Sequence, residues 1–303
     1  MKILKEWFLT APWGRVALIS WGNPNGEPIL LVHGRQDSVA TFIPLLEHLP
    51  DKYHYVAMDM PGNGLSDPLP ISVMLTRFFP VVVIDMVVEH LNWDNFTFIA
   101  HSMGTEQGLF YNAIYPGKFK KSIYLDGAVA IRRLLMKDFS TYYKTFYYNY
   151  YNNYSSINTD NRIFSKDKAL KAVMQARNLT KEQAEIILSR NLKQLGEDQY
   201  KLSWDKRQKI LAPSFNSLEY YYELFSQNAP PTLHILASQS NEGYSEGNES
   251  LNKLMSDLET NVPNIRILTV QGEHDVHFTH PEKVANLIIS FLEEDTGNRK
   301  SKL

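Results

Sequence analysis

The chain has 303 residues, of which 44% are hydrophobic and 21% charged, enough apolar material to bury a core. Its 31 basic and 33 acidic side chains leave a net charge of −2, so no excess of either sign points to nucleic acid or an anionic membrane as partner. It contains no cysteine, which excludes a disulfide framework, a thiol nucleophile and a Cys-ligated zinc site.

The first segments, EWFLTAP and WGRVALISWG, read as an antiparallel hairpin turning near Pro12–Gly14. PILLVHG (28–34) is a near-continuous apolar run ending at glycine, the form of a parallel strand buried on both faces. YHYVAMDMPG, NFTFIAHS, KSIYLDG, PTLHILAS and IRILTVQG repeat that form. The longest apolar run, FFPVVVIDMVV, is interrupted by Pro80 and Asp85 and is too short to span a bilayer. Strand-like runs alternating with helical patterns predict a mostly parallel, eight-stranded sheet flanked by helices, an α/β fold. Near the end, Val284, Leu287, Ile288 and Phe291 fall at i, i+3, i+4 and i+7 of a helix that starts at Pro281.

The alternation stops after Asp126, and no strand-like run follows until Pro231. DKALKAVMQARN, LTKEQAEIILSRNL and NSLEYYYELFSQ read as helices, the second with Thr180 and Gln183 at capping-box spacing. Residues 128–228 are therefore expected to form a helical cap between the sixth and seventh strands of a core made of 1–127 and 229–295. Within the cap, YYKTFYYNYYNNY (142–154) is expected partly to pack on the body and partly to wall a substrate pocket. The tail, 296–303, ends in Ser301, Lys302 and Leu303, the pattern of a receptor-read peroxisomal address. Import into peroxisomes that depends on Leu303 is the expected outcome. Unchanged import after removal of the three residues would refute the address.

Three stretches carry candidate chemistry. In AHSMG, Ser102 lies between a strand and the helical TEQGLFYNAIYP, the setting of a nucleophile lifted above a sheet by a sharp turn. Gly104 meets the need for a small residue two places after the serine. Ala100 adds one methyl where a glycine is usual. LLVHGRQDS supplies a loop that can face the serine, so the backbone N–H groups of Arg35 and Met103 are assigned as oxyanion donors. His33, Asp59 and Ser66 are expected to be structural. In VQGEHDVHFTHPEKVA, His274 follows the last strand directly and is the expected general base. His277 is a supporting or pocket residue and His280 a surface residue at the helix start. The spacing of the three histidines does not supply a metal site's remaining ligands.

On the strength of HGRQDS, DMPGNGLSD, AHSMG, the helical cap and GEHDVHFTHPEKVA, the chain resembles the α/β-hydrolase superfamily. HSMG, LSWDKRQKILAPS and the ending GxHxVHxxxPEKVA resemble, more narrowly, the serine hydrolase-like proteins, over roughly residues 5–293. The resemblance implies an ester or thioester hydrolase with a Ser–acid–His triad, no cofactor, and a small-molecule or lipid-derived substrate. Dehalogenases and alkyl-epoxide hydrolases use a carboxylate where Ser102 stands. It also implies an acid after the seventh strand, and there the matching position is Ser240. Asp126, at the end of the sixth strand, is the first candidate in its stead. Glu242, Glu246 and Glu249 lie further along, with Glu242 the leading alternative acid. A chain with no acid would be a feeble hydrolase or a ligand-binding member of the fold.

Overall fold

The computed structural model describes residues 1–132, 138–159, 162–211, 216–240 and 248–295. Glu242, Glu246 and the Ser301–Leu303 tail lie outside the described residues. The main sheet has eight strands in the order β1-β2-β4-β3-β5-β6-β9-β10. They are β1 (Ile3–Ala11), β2 (Gly14–Gly22), β3 (Pro28–Val32), β4 (His54–Met58), β5 (Phe96–His101), β6 (Phe119–Leu125), β9 (Thr232–Ala237) and β10 (Ile265–Val270). β2 runs antiparallel to β1 and β4, and every pairing from β4 to β10 is parallel.

Period-2 alternation divides the parallel strands between two buried faces. Leu30, Val32, Val56, Phe98 and Tyr124 pack on one side with α2 (Phe79–Leu91), α3 (Met103–Ile114), α6 (Leu218–Ser226) and α7 (Asn248–Asn261). Ile29, Leu31, Tyr55, Ile99 and Ile123 pack on the other with α1 (Ile43–His48) and α8 (Glu282–Glu293). The predicted stripe of α8 is the face it buries: Val284, Ile288 and Phe291 are in the core and Leu287 packs against it. Pro80 falls in the first turn of α2, where its missing N–H has no helical partner to lose. No helix among the described residues is long and apolar enough to cross a membrane.

Between β6 and β9 the chain leaves the sheet. It forms short helical turns over 139–158, then α4 (Lys166–Arg177) and α5 (Lys181–Asn191), before returning through α6. The capping box at Thr180 and Gln183 is present in both directions. One expectation fails here: the segment also holds a hairpin, β7 (Leu192–Gly196) with β8 (Gln199–Leu202). Its strands, LKQLG and QYKL, are short, polar and half exposed, so they lack the apolar run that marks a sheet strand. The tyrosine stretch meets its expectation in part. Tyr142 and Tyr150 are buried, whereas Tyr143, Tyr147, Tyr148, Tyr151 and Tyr154 are exposed. Phe146 is the member of that stretch that lines the cavity over Ser102.

A buried arginine fastens this segment to the body. Arg190 donates from Nε and Nη2 to Asp59 Oδ2, at 3.1 and 2.8 Å, and also pairs with Glu6. Asp59 in turn accepts from the backbone N–H of Val39 and Leu65. Ser66 Oγ donates to the Asp59 carbonyl and accepts from Ala17 N. Both residues knit loops together.

Candidate active site

β5 delivers Ser102 to the C-terminal edge of the sheet, where doubly wound folds place their sites. Ser102 has φ 51° and ψ −117°, a conformation that L side chains rarely adopt, and α3 starts at the next residue. The turn is possible because Gly104 has no side chain: a Cβ there would lie 2.5 Å from Val32 O and 3.1 Å from Ala100 Cβ. The methyl of Ala100 thus faces the empty side of Gly104, which is why the missing first glycine is tolerated.

Ser102 Oγ lies 2.9 Å from His274 Nε2. His274 Nδ1 lies 2.5 Å from Asp126 Oδ2. Because the carboxylate accepts at Nδ1, that nitrogen carries the proton and Nε2 is free to accept from the serine. Asp126 is 2% exposed and has φ 46°, and its backbone N–H donates to Ile235 O at 2.7 Å. Its Oδ1 accepts from Ala237 N at 2.9 Å, so the carboxylate is held from below by β9. Ser240, in the place where an acid was expected, donates through Oγ to the same Asp126 Oδ2 and lies 3.3 Å from His274 Nδ1. Glu249 is exposed at the start of α7.

Burial works to lower the pKa of His274, but the hydrogen bond and charge of Asp126, aided by Asp275, outweigh it and hold the imidazole above its ordinary value. Two more imidazoles stack behind it. The His101 ring lies 4.7 Å from that of His274 and 4.0 Å from that of His277. Burial, and then the charge of His274, push His101 down to about 4. Burial holds His277 well below the usual range. A proton taken up by this stack therefore resides on His274. His101 Nε2 lies 3.1 Å from the His274 carbonyl and His277 Nε2 lies 2.9 Å from Thr41 Oγ1, so both support the loop that carries His274. His280 is exposed, beside Thr279 Oγ1. The three histidines of the sequence motif thus do not converge on a common point.

Arg35 and Met103 both border the cavity at Ser102. Gly34 presses on the serine, since a Cβ there would lie 3.0 Å from Ser102 Cβ. His33 is structural, with Nδ1 at 2.7 Å from Gly34 O and Nε2 accepting from Met60 N at 2.9 Å. Two cavities meet at Ser102 and His274. One, of about 500 Å³, has Met103, Val129, Phe146 and Leu211 among its walls. The other, of about 720 Å³, lies against α4 and β8 and includes Phe164, Val173 and Trp204.

Sequence reasoning missed Arg177. From the end of α4 it donates to Asp275 Oδ2 (2.9 Å) and Asp37 Oδ2 (3.0 Å), joining the loop next to His274 to the loop after Arg35. Burial would raise the Asp275 carboxyl, yet Arg177 holds it well below the usual carboxylate range. Asp37, His101 and Asp275 are close enough to consider as a cation site, and the Arg177 guanidinium already supplies the positive charge between the two carboxylates. An arginine in the last turn of a surface-patterned helix gives no sign in sequence of so distant a pairing. Arg177→Met should destabilise the protein by about 3 kcal/mol, because two largely buried carboxylates lose their partner. A denaturant midpoint equal to that of the parent would show that the bridge does not hold the two loops.

A family model described as alpha/beta hydrolase fold matches residues 27–281. The chain belongs to that family. Serine hydrolase-like protein 2 of Homo sapiens is 27% identical, with 96% of this chain and 95% of that protein covered. A serine hydrolase-like protein of Danio rerio is 26% identical, with 98% and 94% covered. Among solved structures, the thioesterase domain from the curacin biosynthetic pathway covers 95% of this chain and 100% of its own, with a TM-score of 0.76 at 21% identity, a likeness of fold.

Proposed function

We propose that the protein is a serine hydrolase that cleaves carboxylic esters or thioesters of small, lipid-derived molecules through an acyl-enzyme. Ser102 Oγ attacks the carbonyl carbon while His274 Nε2 takes its proton. The backbone N–H groups of Arg35 and Met103 receive the oxyanion. As the tetrahedral intermediate collapses, His274 returns the proton to the leaving oxygen or sulfur. Water then attacks the acyl carbon as it loses a proton to His274, and His274 passes that proton to Ser102 Oγ as the acid leaves. Asp126 holds His274 in the tautomer with Nδ1 protonated and stabilises the imidazolium.

The observation that carries this reading is the unbroken path of hydrogen bonds from Ser102 through His274 to the buried Asp126, at the junction of two cavities. A junction suits an ester, which needs separate room for its acyl and leaving groups. Met103, Val129, Phe146 and Leu211 in the first cavity suit a hydrocarbon portion, whereas the second is walled largely by polar and charged side chains such as Arg162 and Gln175. Labelling by a fluorophosphonate probe tests it. The folded protein should be labelled and Ser102→Ala should not. Absence of labelling in the parent, beside a labelled control hydrolase, would end the proposal.

A further inference from the structure

In this structure, the position where the resemblance calls for an acid is filled by a serine that points at the acid actually present. Ser240 sits three residues past the end of β9. Its backbone N–H donates to Ala237 O at 3.2 Å, and Ala237 N donates to Asp126 Oδ1 at 2.9 Å. The loop is therefore closed around the carboxylate. Ser240 Oγ and His274 Nδ1 both address Asp126 Oδ2, and they stand 3.3 Å from each other.

We propose that Ser240 is a positioning residue for the Asp126–His274 pair, and that its site is a second acid position from which a carboxylate can orient His274 when Asp126 no longer can. The inference rests on the triad reading above. The first half follows from competition. A carboxylate oxygen that accepts a hydroxyl has part of its charge neutralised, and less is left for the imidazolium. The hydroxyl also holds Oδ2 beside His274 Nδ1, so the base is aimed as well as tuned.

The second half follows from reach. The serine Oγ occupies the place that an aspartate Cγ would take, and a carboxylate oxygen extends one bond beyond it. That Cγ would stand 3.3 Å from Nδ1 and in very close contact with the residue 126 side chain, so the rotation about χ1 that brings an oxygen to Nδ1 must also carry the carboxylate away from residue 126. The other charged and titratable groups that face His274 stay as they are: Asp275 on its own loop, His101 from β5 and Arg177 from α4.

Two sets of variants test this. The first is read by ¹⁵N imidazole NMR titration of His274, which needs no turnover, and by the pH profile of ester hydrolysis. Ser240→Ala should raise the His274 titration midpoint by about half a pH unit, because Asp126 is freed to serve the imidazolium alone. It should also lower kcat by about tenfold, because the carboxylate is less well held. Ser240→Thr, which keeps the hydroxyl, should restore the parental midpoint. A midpoint in Ser240→Ala equal to that of the parent overturns the positioning role.

The second set is built on Asp126→Asn, whose amide oxygen can still accept from Ala237 N and whose side-chain type tolerates the positive φ at this position. Adding Ser240→Asp to it should recover at least a hundredfold of the lost kcat/KM. A folded double variant no faster than Asp126→Asn overturns the second acid position. Asp126→Asn as fast as the parent would instead overturn the triad reading itself, and this inference with it.

Discussion

Ser102→Ala should give a folded protein whose ester turnover is lower by about a millionfold, the loss that follows when the nucleophile of a serine triad is removed. Folding should be unaffected for a local reason. The side chain of Ser102 makes no capping hydrogen bond to α3, and alanine meets the same positive-φ cost that serine already meets. Gly34 and Gly104, whose lack of a Cβ creates the space for the turn, are untouched. The measurement is steady-state hydrolysis of a chromogenic ester beside a thermal melt. Retained turnover in the alanine variant, with an unchanged melt, would mean that another group carries the chemistry.

Asp126→Asn should cost about ten-thousandfold in kcat/KM, because the carboxylate both fixes the His274 tautomer and stabilises the charged imidazole. The pH dependence gives an independent sign. In the parent, His274 must be neutral to accept the serine proton, so activity falls as pH drops through a midpoint that Asp126 holds above the ordinary histidine value of 6.5. The asparagine removes the main influences that raise it, and burial, which lowers it, is left. The acid limb of the residual activity should therefore move to lower pH. A limb that stays in place would mean that Asp126 does not act on His274. The opposite directions expected for Asp126→Asn and Ser240→Ala separate loss of the carboxylate from loss of the hydroxyl that shares it.

The difficulty of the acid shows where sequence reasoning reaches its limit. Asp126 stood out as a strand-end carboxylate and the first of several candidates, yet the distance from position 126 to position 274 is not written in local pattern. Three parallel strands bring them together. β6 ends at Leu125, β9 passes beside it in register from Ser122↔Thr232 to Leu125↔Ile235, and β10 beyond it sends the His274 loop back over both. The same sheet geometry explains Ser240. Its sequence position marked it as an acid slot without an acid, and the fold shows a hydroxyl turned toward the carboxylate next door. Arg177 and Arg190 lie at the far end of this scale, since each joins residues more than 90 positions apart through a bridge between the inserted helices and the body.

By itself the sequence determined what depends on local order. Apolar runs ending in small residues specified buried parallel strands, since only strands covered on both faces can be apolar throughout. The 3.6-residue stripe specified α8, and the small residues around Ser102 specified the sharp turn, because sterics between neighbours decide both. The β7–β8 hairpin escaped because short polar strands bury little and leave little pattern. The tertiary structure alone decided which carboxylate meets His274, which loops Arg177 ties together, and that two cavities meet at the serine. Each of these depends on the packing of segments far apart in the chain, where the directions of strands and the space between helices, rather than residue type, set what touches what.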